Sequence, residues 1–331
     1  MRKLRLSTEG TCIFHAMSRT VNGEVLLGDR EKEVLRKMMI QVADFSGVEV
    51  LTYCLMNNHF HLLIRVPPAD SVSDQELMRR YRVLYPKPTK YQTASINVMV
   101  KLLEDGGEQA DAIRQQLLAR MGDLSAFMKT LKQRFSTWFN KTHDRFGPLW
   151  SDRFKSVLVE GTDFVLQTMA AYIDLNPVRA GIVEDPKDYR FCGYAEALAS
   201  NGDGANALRG LKFVTSGCYE VTKGDALAAY RCMLFGKGAK PAAGSAHMDR
   251  AKAARVLEKE QGYLPAATLL RCRIRYFSEG VVLGSSEFVR AQMDAWQCSA
   301  GRQYPPKTPL IRCEEAPALS VMHGVRGDAY S

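Results

Sequence analysis

The sequence predicts an α+β fold: an antiparallel palm of the ferredoxin-like or RRM-like kind with helices on one face, plus a helical insertion and a mainly helical C-terminal region. Three observations carry this prediction. Strand-like apolar runs alternate with amphipathic helical stretches in the order β-α-β-β-α-β-α within the first 198 residues. Two of the runs are separated only by Asn57 and Asn58, residues that tolerate left-handed geometry and suit a tight hairpin. A charged, proline-punctuated stretch at 67–122 and a Gly/Ala-rich one after 198 interrupt the pattern. The chain therefore divides into a domain over 1–198 with an insertion at 67–122, a linker region over 199–248, and a helical region over 249–331 that ends in a flexible tail.

Each element has its own justification. CIFHAMSR, residues 12–19, reads as the first strand. From Asp29 to about Phe45, Val34, Leu35, Met38, Met39 and Val42 share one helical side, and Gly47 ends the helix. VEVLTYCLM and HFHLLIRV form the hairpin strands. Leu124, Phe127, Met128, Leu131, Phe135, Trp138 and Phe139 mark the apolar face of a long amphipathic helix. FGPLWSDRFKSVLVE supplies a turn and a strand. Thr162 or Asp163 can cap a helix through VLQTMAAYIDLN, which stops near Asn176 because the residue before Pro177 is biased away from helical geometry.

Composition narrows the function. Hydrophobic residues make up 46% and charged residues 24% of the 331, values of a soluble globular protein that exclude wholesale disorder and collagen-like order. No run approaches about 18 consecutive apolar residues, so no membrane span is expected. The formal charge of +9 favours a polyanionic partner, nucleic acid before a membrane surface. Eight cysteines occur without a CxxC pair, which argues against a zinc ribbon or a disulfide framework and reads as reduced thiols in a cytoplasm.

The chemistry concentrates at two places. His59 and His61 flank Phe60 on a strand, so a period of two puts both imidazoles on one face, their Cα atoms about 7 Å apart, while Phe60 and Leu62 point into the core. That is ligand geometry for a divalent ion, although the HxH spacing alone equally suits a hydrogen-bonded pair. Asn176 lies four residues after Tyr172 on the same helical side and can offer an amide oxygen as a third ligand, or simply cap the following turn. Beside a phosphate-binding metal, the Tyr172 phenol becomes a competent nucleophile toward DNA. Without that metal, it reads as an ordinary half-buried helix residue.

MNNHFHLLI, RFGPLWSDRFKSVLVE and YIDLNPVRAGIV, in this order, resemble the HUH single-tyrosine transposases, in particular the REP-associated (RAYT) branch of the insertion-sequence transposases. The resemblance covers about residues 10–195. It implies that His59 and His61 bind Mg²⁺ or Mn²⁺ with Asn176 as third ligand. It also implies that Tyr172 attacks single-stranded DNA to give a 5′-phosphotyrosine and a free 3′-hydroxyl. The expected activity is cleavage and rejoining of single-stranded or hairpin DNA at repeat sequences, with no small-molecule cofactor and no membrane partner. The insertion and the C-terminal extension depart from short family members and leave open whether the protein is a monomer or a homodimer. Two other readings share parts of this pattern: a non-catalytic RRM-like nucleic-acid-binding protein, and a replication initiator or relaxase-like nicking enzyme.

Cations and flat rings for single-stranded DNA alternate between Lys129 and Lys155. Arg153 and Lys155 on the strand, with Arg19 and Arg179, are the expected phosphate contacts. His15 on the first strand reads as a core or supporting histidine rather than a ligand. Near the C-terminus, Ser285 or Ser286 is placed to cap a final helix, and Arg271, Arg273 and Arg275 cluster before it in a loosely helix-turn-helix-like pattern.

Overall fold

A computed structural model describes residues 10–68, 72–200, 205–235, 276–300, 308, 310–313 and 316–323. The palm begins in the expected order with β1 (Cys12–Arg19), α1 (Asp29–Ser46), β2 (Glu49–Leu55) and β3 (His59–Val66). Gly47 ends α1 in the left-handed conformation (φ 65°), its N–H donating to the carbonyls of Ala43 and Asp44. The hairpin turn is tied down from outside: the Asn57 carbonyl accepts from the N–H groups of Leu26 (3.1 Å) and Leu27 (2.9 Å), and the Asn58 carbonyl from that of Thr20 (2.9 Å).

The insertion forms three helices, α2 (Asp74–Val83), α3 (Lys90–Asp105) and α4 (Glu108–Leu118), with α2 packed on α1. Then α5 (Leu124–Thr142) buries Leu124, Phe127, Met128, Leu131, Phe135 and Phe139, the apolar stripe read from the sequence. It leads to β4 (Lys155–Val159), α6 (Asp163–Asp174) and the single turn α7 (Asn176–Arg179).

Strand register sorts the side chains by face. In the antiparallel pairing of β1 with β3, Arg19 lies opposite His59, Met17 opposite His61 and His15 opposite Leu63. Across β1 and β4, Met17 lies opposite Lys155 and His15 opposite Val157. One face thus presents Arg19, Met17, His15, His59, His61 and Lys155 together. The other carries Phe60, whose ring meets Trp150 (5.4 Å between centroids), which in turn meets Phe135 of α5 (5.8 Å).

Helices on one face are the sequence expectation, yet β3 is buried along nearly its whole length and β2 is fully buried from Leu51 to Leu55. The cause is a second layer: α6, α8 (Gly193–Ala199) and α9 (Asn206–Ser216) pack on β2, and α6 lies over the histidine face. The span read as a linker also differs. Within it, α9 buries Leu208, Leu211 and Val214 and is followed by α10 (Lys223–Phe235). Gly210 makes this possible, because a Cβ there would stand 2.1 Å from the Leu51 carbonyl oxygen.

The described C-terminal residues add strands to their helices. A short helix α11 (Tyr276–Glu279), β5 (Val282–Gly284), α12 (Ser286–Ala300), β6 (Leu310–Cys313) and β7 (Ala316–Met322) extend the palm into one seven-stranded sheet of order β2-β3-β1-β4-β5-β7-β6. β5 runs parallel to β4, and all other pairings are antiparallel. Here α11 and α12 are separated by a strand, so these two helices do not make a helix-turn-helix. Arg271, Arg273 and Arg275 lie outside the described residues. Ser285 does cap α12, its Oγ accepting from the Phe288 N–H at 3.1 Å.

Candidate active site

The site lies between the histidine face of the sheet and α6. The rings of His59 and His61 stand 5.0 Å apart, centroid to centroid, and the Tyr172 ring lies 6.0 Å from His61 and 5.9 Å from His15. Three elements far apart in sequence, β1, β3 and α6, thus bring the predicted tyrosine to the predicted histidine pair. His59 is half-buried and its Nδ1 donates to the Asn58 side-chain oxygen at 2.7 Å. His61 is buried, and its Nδ1 is 2.8 Å from His15 Nε2.

Burial is the main force on these rings. It pulls the His15 pKa down to about 4 and that of His61 well below the ordinary imidazole range. Interaction with His59 and His15 and the charges of Arg179 and Arg19 push His61 the same way. Neutral imidazoles are the form that binds a metal. Among the described residues no group of three or more His, Cys, Asp and Glu side chains could hold a metal ion. A cation here would rest on the two imidazoles, a neutral amide and water.

Asn176 stands directly after α6, where its amide nitrogen donates to the carbonyls of Tyr172 (3.1 Å) and Ile173 (3.0 Å). That is the capping geometry, and it commits the nitrogen to the helix, leaving the amide oxygen as the group with ligand chemistry. Arg179, expected as a phosphate contact, is only 4% exposed. The α7 turn folds it back along α6, where its guanidinium donates to the Tyr172 carbonyl and lies 4.3 Å from the centre of the Tyr172 ring. Arg19, Arg153 and Lys155 are exposed, Arg19 opposite His59 and Lys155 opposite Met17 on the site face.

Two participants escaped the sequence reading. Phe277 of α11 stacks on Tyr172 at 4.8 Å and is part of the reason that Tyr172 is only 7% exposed. Asp174, two residues after Tyr172, is fully buried and accepts from Thr52 (3.0 Å), Tyr230 (2.5 Å) and the Tyr194 N–H (3.3 Å). It ties α6 to β2, α8 and α10, and burial raises its pKa to about 7. An acidic residue inside an apolar helix run was the available signal for it.

An α+β palm that carries a strand-borne histidine pair under a helix tyrosine defines the class of protein. Residues 8–85 match the model of a family described as IS200-like transposases, which bears out the resemblance to the insertion-sequence transposases. A solved structure of the REP-associated tyrosine transposase bound to a REP hairpin is similar to the chain, with 16% identity, covering 60% of this chain and 86% of that one at a TM-score of 0.38. No curated protein matches the chain. Among the described residues no helix is long and apolar enough to cross a membrane.

Proposed function

We propose that this protein cleaves and rejoins single-stranded DNA, in hairpin or repeat sequences, with Tyr172 as nucleophile. The observation that carries this reading is the convergence of Tyr172 with His59 and His61 on one face of the palm. The phenol oxygen bonds to phosphorus as it gives up its proton, and the bond from phosphorus to the 3′ oxygen breaks. The products are a 5′-phosphotyrosine and a free 3′-hydroxyl, and attack by a 3′-hydroxyl on the phosphotyrosine reverses the step. His59, His61 and the Asn176 amide oxygen fit a divalent cation, Mg²⁺ or Mn²⁺, which supplies electrophilic activation of the phosphate when bound.

The chain's own residues do the rest. Arg179 lies against Tyr172, where its charge favours an approaching phosphate and a developing phenolate. Arg19 and Lys155 are exposed on the same face to hold the flanking backbone, with Arg153 just before β4.

The test is incubation of the full chain with labelled single-stranded hairpin DNA and Mg²⁺ or Mn²⁺, followed by denaturing electrophoresis. A covalent adduct is expected from the wild type and none from Tyr172→Phe, which keeps the fold and the DNA affinity because only a hydroxyl is removed. An adduct of equal yield on the Phe variant would place the nucleophile elsewhere.

A further inference from the structure

We propose that His15 is a positioning residue that fixes the tautomer of His61 and so leaves its Nε2 lone pair as the one available to a cation. This deepens the reading of His61 as a ligand and rests on it. The argument starts from a carbonyl. His15 Nδ1 lies 2.7 Å from the Phe277 carbonyl oxygen, and a carbonyl can only accept, so the proton is on His15 Nδ1. The ring is buried and neutral, so its other nitrogen, Nε2, carries a lone pair and accepts.

The group 2.8 Å from that lone pair is His61 Nδ1, which must therefore be the donor. His61 is neutral in the same buried setting, so its single proton is spent on His15 and Nε2 is left unprotonated. The two rings are nearly parallel, 19° apart with centroids at 5.1 Å.

The neighbouring ligand candidate is oriented in the same sense by a different group. His59 Nδ1 donates to the Asn58 side-chain oxygen, so in the neutral ring, the form that binds a metal, the lone pair falls on Nε2. Both histidines of the pair thus have Nδ1 committed to a fixed acceptor, one supplied by the adjacent residue and one relayed through His15 from the C-terminal region. Ligands held in this way bind metal about 10 to 100 times more tightly than unsupported ones. Leu63 and Val157, the residues opposite His15 on the two neighbouring strands, are apolar and cannot replace it.

Two measurements on the full chain test this. Long-range ¹H–¹⁵N spectra of the metal-free wild type should show His15 and His61 both protonated at Nδ1; an Nε2–H tautomer at His61 would overturn the proposal. Mn²⁺ binding followed by calorimetry should weaken about tenfold or more in His15→Leu. It should stay within about threefold of wild type in His15→Gln, whose amide can accept from His61 and donate to the Phe277 carbonyl. Equal losses in both variants, or no loss in His15→Leu, would refute the relay. Wild-type protein that shows the Nδ1–H tautomers but takes up no Mn²⁺ would instead refute the metal reading of His59 and His61 and leave the hydrogen-bond relay standing.

Discussion

The site-bearing strands β3, β1 and β4 are flanked by two regions that support them in different ways. On the β2 side the support comes from the chain that follows α6, nearer in sequence to the tyrosine helix than the C-terminal strands are: α9 presses its backbone at Gly210 against Leu51, and the N–H of Leu55 donates to the Phe191 carbonyl at 2.9 Å. On the β4 side it is hydrogen bonding from the far end of the sequence. The N–H groups of Leu158 and Glu160 donate to the carbonyls of Val281 (2.8 Å) and Leu283 (2.9 Å), and β7 and β6 continue the sheet beyond. The contrast teaches that a palm can have one edge completed by residues far outside the motifs that carry its site.

The sharpest way to break this comparison is to remove the distant region. Truncation after residue 240 strips β4 of its parallel partner and exposes the Tyr172 ring, so the expected outcome is a fall in melting temperature of about 10 °C or more, with aggregation through the open β4 edge. Thermal denaturation and gel filtration check this. A truncated chain melting within about 2 °C of the full one would show that the C-terminal strands stand outside the cooperative unit.

Breaking the near side should have a smaller effect. Gly210→Ala pushes a methyl group into the Leu51 backbone, and overpacking of this kind costs about 1–3 kcal/mol. Urea unfolding should show the loss as a lower midpoint with an unchanged slope, and an unchanged midpoint would mean that α9 simply slides away.

The third test sharpens the comparison by pH, because Asp174 couples α6 to the near region. Its folded pKa, about 7, is raised above that of the unfolded chain, so its stabilising effect is complete at low pH and is lost as pH rises through 7. Between pH 6 and pH 8 the expected decline is about 1 kcal/mol. The two buried histidines are shifted downward and pull the other way until pH passes about 6.5, so the Asp174 effect is read as a difference between wild type and Asp174→Asn. Chemical denaturation at the two pH values should show wild type losing about 1 kcal/mol relative to Asp174→Asn between pH 6 and pH 8. The same slope in both would assign it to another group.

What was legible in the sequence follows the same division. β1, α1, the hairpin and α5 have local signals: alternation, a stripe repeating every three to four residues, Gly47, and the Asn57-Asn58 turn. The placement of His59, His61 and Tyr172 on one site follows from those periods together with the motif resemblance. β5 has only three residues and gains its meaning from a parallel partner more than 120 positions earlier, which no local pattern can encode. In α9 the apolar stripe was hidden by the glycine that makes its packing possible. The burial of Arg179, read from the sequence only as a phosphate contact, depends on how α7 turns after Pro177. His15 was visible as a buried histidine, but its hydrogen-bond partner is a backbone oxygen, to which side-chain identity offers no clue.

The hydrogen bond between His15 and the Phe277 carbonyl spans 262 residues of chain. During synthesis at about 5–20 residues per second, roughly 13 to 50 s separate the appearance of its two ends at the ribosome. For that interval the nascent palm holds its histidines and then its tyrosine without the carbonyl that orients them and without the strand that covers β4. The order of translation therefore makes the assembled tyrosine–histidine site one of the last features of the molecule to exist.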